Sequence, residues 1–295
     1  MSLDARGYIS IVVIIIYIPI LLAGIILSLR HGFARKDGWV TLVLLSIVRE
    51  AGAVTRILSE NDPTNTTYPT IYGVLETAGM SPLLVATLGF LRMTAQYGLD
   101  QRPMMATGHK LVTIVAGLAL FLAVFGGTKV GNAKSQSDLD TGNTLRHASS
   151  VVFALVYAAI VFLTVYCWQN KQMIMKYRRK LLLAITITLP FLAIRVLYGI
   201  LGSFASATIA IRDGHAVPIA PGDSGLSKFS PQSSSWGLYL VMLVMAEYIT
   251  VLTYAVIGIV TPLKKDTEEY ERNNTGTRSG AHCDSGRLFN PWFQN

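Results

Sequence analysis

Long apolar stretches alternate with short polar segments along the chain, and seven of these stretches have the length of a membrane-spanning helix. A hydrocarbon core of ~30 Å is crossed by about 20 helical residues. The pattern therefore predicts an all-α fold, a seven-transmembrane helical bundle. The predicted spans are residues 8–29, 39–59, 71–95, 108–127, 145–168, 180–204 and 236–261.

Two of these stretches have unusual features. The first apolar run is too long for the core of a cleavable signal peptide, about 7–15 residues, and is interpreted as a helix that stays in the membrane. The third contains Glu76, Gly79 and Pro82. These residues predict a helix that is broken there, or a re-entrant segment whose freed backbone is buried in protein.

The composition favours an integral membrane protein. The 295 residues are 52% hydrophobic and only 14% charged, whereas about 25% of the residues of a soluble domain are charged. The lipid bilayer is therefore the first partner that the sequence predicts.

The basic residues are divided unevenly between the two sides of the predicted bundle. Six Lys and Arg residues accompany the N-terminus and the loops on its side, and sixteen accompany the other loops and the C-terminal tail. Because cytosolic loops carry the excess of Lys and Arg, the N-terminus is predicted to be lumenal and the C-terminus cytosolic. The net charge of +8 then indicates anionic lipid headgroups, and no nucleic acid, as its partner.

Two domains are predicted, with the boundary near residue 262. Residues 1–262 form the seven-helix transmembrane domain, and the polar residues 263–295 form a disordered cytosolic tail. The loop 205–235 is predicted to be either a lid over a lumenal opening or a flexible connector. Asn65 begins a sequon on the lumenal side and is a predicted glycosylation site, whereas the sequon at Asn273 lies in the cytosolic tail.

Six ionisable side chains lie inside the predicted spans. A charge at bilayer depth costs at least ~2.5–3.5 kcal/mol, so such residues tend to face a protected interior and to have a function. Their positions lie between the midplane and the lumenal surface, which predicts one shared polar site. The alternative is that each ion pair only holds helices in register. The six residues are Arg49, Glu50, Arg56, Glu76, Arg195 and Glu247.

Missing motifs exclude several kinds of chemistry. The last span has no lysine for a retinal Schiff base, and the chain has no Walker, G-x-S-x-G or H-E-x-x-H motif. Its five histidines are scattered, and Cys167 and Cys283 make no disulfide framework. No metal site and no cofactor are predicted.

A set of short motifs runs through the spans. They are Tyr17-Ile18-Pro19, His31-Gly32-Phe33, Gly38-Trp39, Leu45-Ser46-x-x-Arg49, Gly79-Met80-Ser81-Pro82-Leu83-Leu84, Arg195-x-x-Tyr198 and Glu247-Tyr248. The set resembles a family of heptahelical fungal integral membrane proteins, and within it the membrane-bound meroterpenoid terpene cyclases of the ascochlorin and ascofuranone type. The resemblance covers about residues 5–262. It implies an enzyme of secondary metabolism that cyclises an epoxidised prenyl chain attached to an aromatic polyketide.

Acid-initiated opening of an epoxide needs a proton donor in a dry cavity. A buried carboxyl group without a cationic partner stays protonated near neutral pH. This favours Glu247 as the first choice for the acid and Glu76 as the second. Glu50 is the third, because an ion pair with its neighbour Arg49 would keep it ionised.

Supporting roles are assigned to other polar residues by the same chemistry. Arg49 and Arg195 are predicted to orient the polar head of a lipophilic substrate that enters laterally from the bilayer. Tyr198 or Tyr248 would relay a proton or stabilise cationic charge through its ring. An oily intermediate makes the endoplasmic reticulum or another endomembrane the expected compartment. Two alternatives stay open: a heptahelical sensor or receptor, and a transporter or accessory scaffold.

Overall fold

The protein is helical along almost its whole described length. The computed structural model describes residues 4–31, 38–62, 67–96, 98–99, 102–205, 209–212, 215–218, 225–230 and 235–261. The predicted glycosylation site Asn65 and the predicted cytosolic tail, residues 263–295, lie outside the described residues.

The helices follow the apolar stretches of the sequence, and most extend a few residues beyond them. Their bounds are α1 Ala5–His31, α2 Gly38–Asn61, α3 Thr67–Ala78, α4 Met80–Ala95, α5 Pro103–Gly131, α6 Gln136–Gln169, α7 Lys176–Ser203 and α8 Trp236–Val260. Between α7 and α8, β1 (Ile209–Arg212) and β2 (His215–Pro218) pair as an antiparallel hairpin. The predicted all-α class is confirmed, with this hairpin as a small addition in a loop.

Six helical segments of the described chain are long and apolar enough to cross a membrane. They are α1, α3 together with α4, α5, α6, α7 and α8. The predicted second span, α2, is not among them. Its 24 residues include Arg49, Glu50, Arg56 and Glu60. A membrane protein is therefore supported by six apolar helices.

The junction of α3 and α4 explains how a broken helix still forms one span. Pro82 has no N–H for the carbonyl of Ala78, so the hydrogen-bond ladder is interrupted there. Gly79 nevertheless keeps helical dihedral angles (φ −59°, ψ −19°), and its N–H donates to the carbonyl of Leu75 at 3.0 Å. The two helices form a 29-residue segment, Thr67–Ala95, with a break at Gly79.

The α3–α4 segment lies at the centre of the bundle. In its most apolar 18-residue stretch, 78% of the residues are buried, whereas the corresponding share is 28–50% in the other five segments. Its mean hydropathy of 1.5 is nevertheless the lowest of the six. It packs against α2, α5 and α7. The outer helices show apolar side chains to the surroundings, and Ile114 of α5 is 72% exposed. Apolar surface of this extent is what a bilayer covers.

One end of the bundle is held by a tight aromatic cluster. Trp39 at the start of α2 packs edge-on against Phe90 of α4, with ring centroids 4.7 Å apart, and Phe90 packs against Tyr254 of α8 at 4.5 Å. Gly258 of α8 lies directly against the Trp39 indole, which occupies the space of a Cβ atom there. The missing side chain thus lets α2 and α8 approach each other.

We expect Gly258→Ala to destabilise the protein by about 1–3 kcal/mol, because the new methyl group overpacks the Trp39 contact. The measurement is the thermal unfolding midpoint of purified protein in detergent. Gly117→Ala on α5 is the matched control, since a Cβ there meets no heavy atom within 4 Å. Equal midpoints for the two variants would contradict the packing described here.

Candidate functional site

Glu247 of α8 is the centre of a buried ion-pair network that joins four helices. Arg49 of α2 donates from Nε and Nη2 to the two carboxylate oxygens, Oε1 and Oε2. Arg195 of α7 donates from Nε to Oε2 at 3.3 Å, and the Tyr17 hydroxyl of α1 donates to Oε1 at 2.9 Å. All four side chains are buried. The bidentate geometry of the Arg49 contact is the strong, directional form of such a pair.

Gly79 leaves the room that the Arg49 guanidinium occupies. A Cβ at this position would lie 3.1 Å from both Cζ and Nη2 of Arg49. That is closer than ordinary van der Waals contact, so any larger residue would displace the guanidinium. The break between α3 and α4 therefore also admits Arg49 to the site.

Arg195 connects the network to the end of α3. Its Nη2 donates to the backbone carbonyl of Glu76 at 2.9 Å. The last four carbonyls of a helix have no partner within the helix, and Glu76 lies in the last turn of α3. The cation also stabilises the negative end of the α3 dipole. One guanidinium thus holds both the Glu247 carboxylate and the broken helix.

The Glu76 side chain is bonded differently from that of Glu247. It is buried, and its Oε2 has no hydrogen-bond partner within the described residues. The hydroxyl of Tyr198 is buried without a hydrogen-bond partner there as well. Since nearly all buried polar atoms are hydrogen-bonded in native proteins, these two atoms mark a place for water or for the polar group of a ligand.

Two small cavities flank Glu76, which lines both of them. The first, of about 20 Å³, lies among α1, α2, α3 and α8 and is also lined by Tyr17, Tyr72 and Tyr239. The second, of about 30 Å³, lies among α3, α6 and α7 and is also lined by Tyr198. Each has room for one or two water molecules. Glu76 is therefore the carboxyl group with access to space on two sides.

Phe229, in the segment between α7 and α8, closes part of the second cavity. It lines the cavity and packs edge-on against Tyr198, with ring centroids 6.1 Å apart. The carbonyl of Ser230 next to it accepts a hydrogen bond from Arg6 of α1 at 3.4 Å. Phe229 of the 205–235 loop thus forms part of the cavity wall, and the lid interpretation stays a prediction.

Arg146 of α6 also lines the second cavity, and the sequence analysis missed it. It is one of the six basic residues assigned to the N-terminal side, because the predicted span begins at residue 145 and places Arg146 at the span end. The helix begins at Gln136, where the Ser135 hydroxyl caps it by accepting from the backbone N–H of Asp138 at 3.3 Å. Ser-x-x-Asp is a recognisable helix start, and it would have placed Arg146 three turns inside α6.

The structure brings together some of the predicted residues and separates others. Those that line the network and its cavities are Arg49, Glu76, Arg195, Tyr198 and Glu247. The predicted residues that line neither cavity are Glu50, Arg56 and Tyr248. A shared polar site therefore exists, but four of the six predicted charges form it.

The three excluded residues have other environments. Arg56 pairs with Glu60 one turn along α2, with 3.1 Å between Nε and Oε1. Tyr248 packs against the main hydrophobic core. Glu50 forms no ion pair within the described residues. Because Glu50 follows Arg49 directly, it lies about 100° further around the helix, on a different face.

The environment of Glu247 does not fit the predicted role of proton donor. Two guanidinium groups and a phenolic hydroxyl all donate to its oxygens, an arrangement that favours the ionised carboxylate. Glu76, the second choice, has no such donors. Among the described residues no group of three or more His, Cys, Asp or Glu is placed to hold a metal ion.

Comparison with known proteins identifies the family. Residues 3–219 match a domain of unknown function, DUF7702. The chain belongs to the DUF7702 family. No curated protein and no solved structure matches it. The DUF7702 match includes Arg49, Glu76, Arg146 and Arg195 but ends before Glu247. The resemblance to meroterpenoid cyclases stays a prediction.

We expect Glu247→Gln to lower the free energy of unfolding by about 3–5 kcal/mol, because it leaves two buried guanidinium groups without their anion. The measurement is chemical or thermal unfolding of purified DUF7702 protein in detergent. Glu60→Gln is the control, since it removes a carboxylate from the peripheral Arg56 pair, worth at most about 1 kcal/mol. A Glu247→Gln variant as stable as this control would contradict the network.

Proposed function

We propose that the chain is a seven-helix integral membrane protein in which α2 is the seventh span. Its 24 residues correspond to a length of about 36 Å, enough to cross a bilayer. It packs against α1, α3 and α4. Its exposed large side chains are apolar, among them Leu44, Ile47 and Val54, while Arg49 points into the bundle. These features support a charged helix that is shielded by its neighbours.

An odd number of spans places the two termini on opposite sides of the membrane. The excess of Lys and Arg in the loops opposite the N-terminus and in the C-terminal tail supports a lumenal N-terminus and a cytosolic C-terminus. The proposed compartment is the endoplasmic reticulum or another endomembrane, where a lipophilic intermediate is at hand and where Asn65 would be glycosylated.

A topology experiment separates seven spans from six. A glycosylation tag at the N-terminus should be modified and a C-terminal epitope should be digested by protease added to sealed microsomes. Removal of the Asn65 sequon should abolish the native glycan, while the Asn273 sequon stays unmodified. Both termini on one side would contradict the seven-span proposal, and glycosylation at Asn273 but not at Asn65 would reverse the orientation.

For activity we propose an acid-initiated cyclase of the terpene type, with Glu76 as the acid. The observation that carries this proposal is the buried Glu76 Oε2 without a hydrogen-bond partner, between two cavities. A general acid must lie within reach of the group that it protonates, and Glu76 lines both cavities. The resemblance described above supplies the reaction class.

The proposed reaction needs one proton and returns it. The Glu76 carboxyl group gives its proton to the epoxide oxygen as the adjacent C–O bond breaks, and the carbon left electron-deficient is attacked by an alkene of the same prenyl chain. The cyclised cation then loses a proton to the Glu76 carboxylate, which forms the final double bond and restores the acid. The rings of Tyr72, Tyr198 and Tyr239, which surround Glu76, would stabilise the cationic carbon.

The network around Glu247 has a positioning role in this proposal. Arg195 holds the carbonyl of Glu76 and thus fixes the end of α3. The cavities admit one or two waters, so a prenylated substrate enters only when the helices separate. Two irregular segments border the site, the Gly79 junction and the π-helical turn Tyr239–Met245 of α8. Such interruptions frequently accompany functional movement.

The test is expression of the protein in microsomes with prenylated epoxide substrates. We expect the wild type to release a cyclised product and Glu76→Gln to lose at least about 100-fold in rate, the contribution of a general acid. Glu60→Gln should keep full activity, and the amount of each protein in the membrane is measured alongside. Wild-type activity in Glu76→Gln would contradict the assignment of the acid.

A sensor or receptor is the second candidate, and the Glu247 network favours it specifically. A buried ion-pair network that connects α2, α7 and α8 can specify one packing of the helices. Breaking the ion pairs would then allow a second packing. If this function is correct, a ligand should change cysteine labelling at the cytosolic helix ends with no product formed. A cyclase would form product with the same ligand.

A further inference from the structure

Arg146 is a cation in the wall of the second cavity that forms no ion pair within the described residues. It is half-buried, and within the described part of the chain its guanidinium makes no hydrogen bond. Arg195, the other guanidinium of this cavity, is committed to Glu247 and to the Glu76 carbonyl. Arg146 is therefore the group of the site that is able to take an added negative charge.

The buried wall of the same cavity offers a second donor. The Tyr198 hydroxyl is buried, lines the cavity, and has no hydrogen-bond partner within the described residues. The hydroxyl of Ser150, also in the wall, already donates to the carbonyl of His147 at 2.8 Å. The available donors are thus the fork of Arg146 and the single O–H of Tyr198.

Donors of this kind suit a carboxylate. A guanidinium binds a planar carboxylate through two parallel N–H···O bonds, and each oxygen accepts a further bond, such as one from a tyrosine hydroxyl. The free space of about 30 Å³ is enough for a group the size of one or two waters. A single carboxylate meets both conditions.

Glu76 makes such binding depend on protons. It lines the same cavity and interacts electrostatically with Arg146, so a second carboxylate bound at Arg146 would repel its negative form. The other titratable groups that face Glu76 are Tyr17 of α1, Arg49 of α2, Tyr72 of α3, Arg195 and Tyr198 of α7, and Tyr239 and Glu247 of α8. Glu247 is neutralised by its two arginines, so Glu76 is the carboxyl group that would take up the proton.

We infer that Arg146 and Tyr198 form a site for the carboxylate of a small molecule, and that Glu76 takes up a proton when this carboxylate binds. The identity of the ligand rests on the proposed function. With a prenylated aromatic substrate, the ligand class is a prenylated aryl acid. In that setting, binding of the substrate's anionic head favours the protonated form of Glu76, which takes its proton from solvent.

The test is a binding experiment without turnover. Purified protein in nanodiscs is titrated with benzoate, with neutral benzamide and with inorganic phosphate, and the unfolding midpoint and heat of binding are measured at about pH 6 and about pH 8, where benzoate stays ionised. We expect benzoate alone to bind, and to bind more weakly at the higher pH, by up to about tenfold per pH unit.

The variants separate the two parts of the inference. Arg146→Gln should weaken benzoate binding at least about tenfold, Arg146→Lys should weaken it less, and Glu76→Gln should bind benzoate without the pH dependence. Arg92→Gln, at an exposed position in the last turn of α4, should leave binding unchanged. Unliganded midpoints verify that each variant is folded.

Three results would overturn the inference. They are equal binding of benzoate by Arg146→Gln and the wild type, equal binding of benzamide and benzoate, and binding of phosphate in place of benzoate. An unaltered pH dependence in Glu76→Gln would remove the proton coupling. The binding test measures no product, so its result is separate from that of the activity test. Cyclisation that depends on Glu76, together with no benzoate binding, would overturn this site alone. Benzoate binding with no cyclisation would overturn the proposed reaction alone.

Discussion

The carboxylate of Glu247 is the interaction on which the arrangement of this bundle depends. It accepts hydrogen bonds from Arg49, Arg195 and Tyr17, which belong to three different helices. In a bilayer, these charges would not become hydrated if the helices separated. Each arginine that loses Glu247 would keep a charge in a low-dielectric interior, so the four helices are held in one relative rotation and depth. The Gly79 junction and the end of α3 are then positioned through the same two guanidinium groups.

This constraint divides the two buried glutamates into different chemical roles. Glu247 has its charge compensated and its oxygens occupied, which makes it a positioning residue. Glu76 lines one cavity together with Glu247 and a second cavity with Tyr198, and it has an oxygen that no described side chain satisfies. A site that keeps one carboxylate fixed and ionised and leaves another able to exchange a proton is a recurring arrangement in acid–base chemistry. The proposed cyclase and the proposed carboxylate site both follow from that difference.

The sequence predicts the helices well, because apolar length is a local property. All seven predicted stretches are helical, and the interruption near Pro82 was readable from the missing N–H. Hydropathy does not register that α6 begins at Gln136, since its first turns are polar; the Ser135 cap carries that information. For this reason Arg146 was assigned to the end of a span. The fold class was thus predictable from the sequence, and the ends of the helices were less predictable.

The composition of the site was only partly predictable. Depth along a span shows that Arg49 and Glu50 lie near mid-bilayer, but which of the two faces the interior is decided by helix rotation, which depends on packing against α1, α3 and α4. The ion pairs of Glu247 with Arg49 and Arg195 were not predicted when Glu247 was chosen as the acid. They join residues that are 198 and 52 positions apart in the sequence. Pairing of distant charges is a property of the packed bundle and is not visible in any one segment.

The central claim is that Arg49 and Glu247 stabilise the bundle through each other, and a double-mutant cycle tests it most directly. Unfolding free energies are measured in detergent for the wild type, Arg49→Gln, Glu247→Gln and the double variant. The account predicts a coupling of at least about 1 kcal/mol, with the double variant destabilised by less than the sum of the single changes, because each single change strands a buried charge. Additive effects of the two substitutions would contradict it.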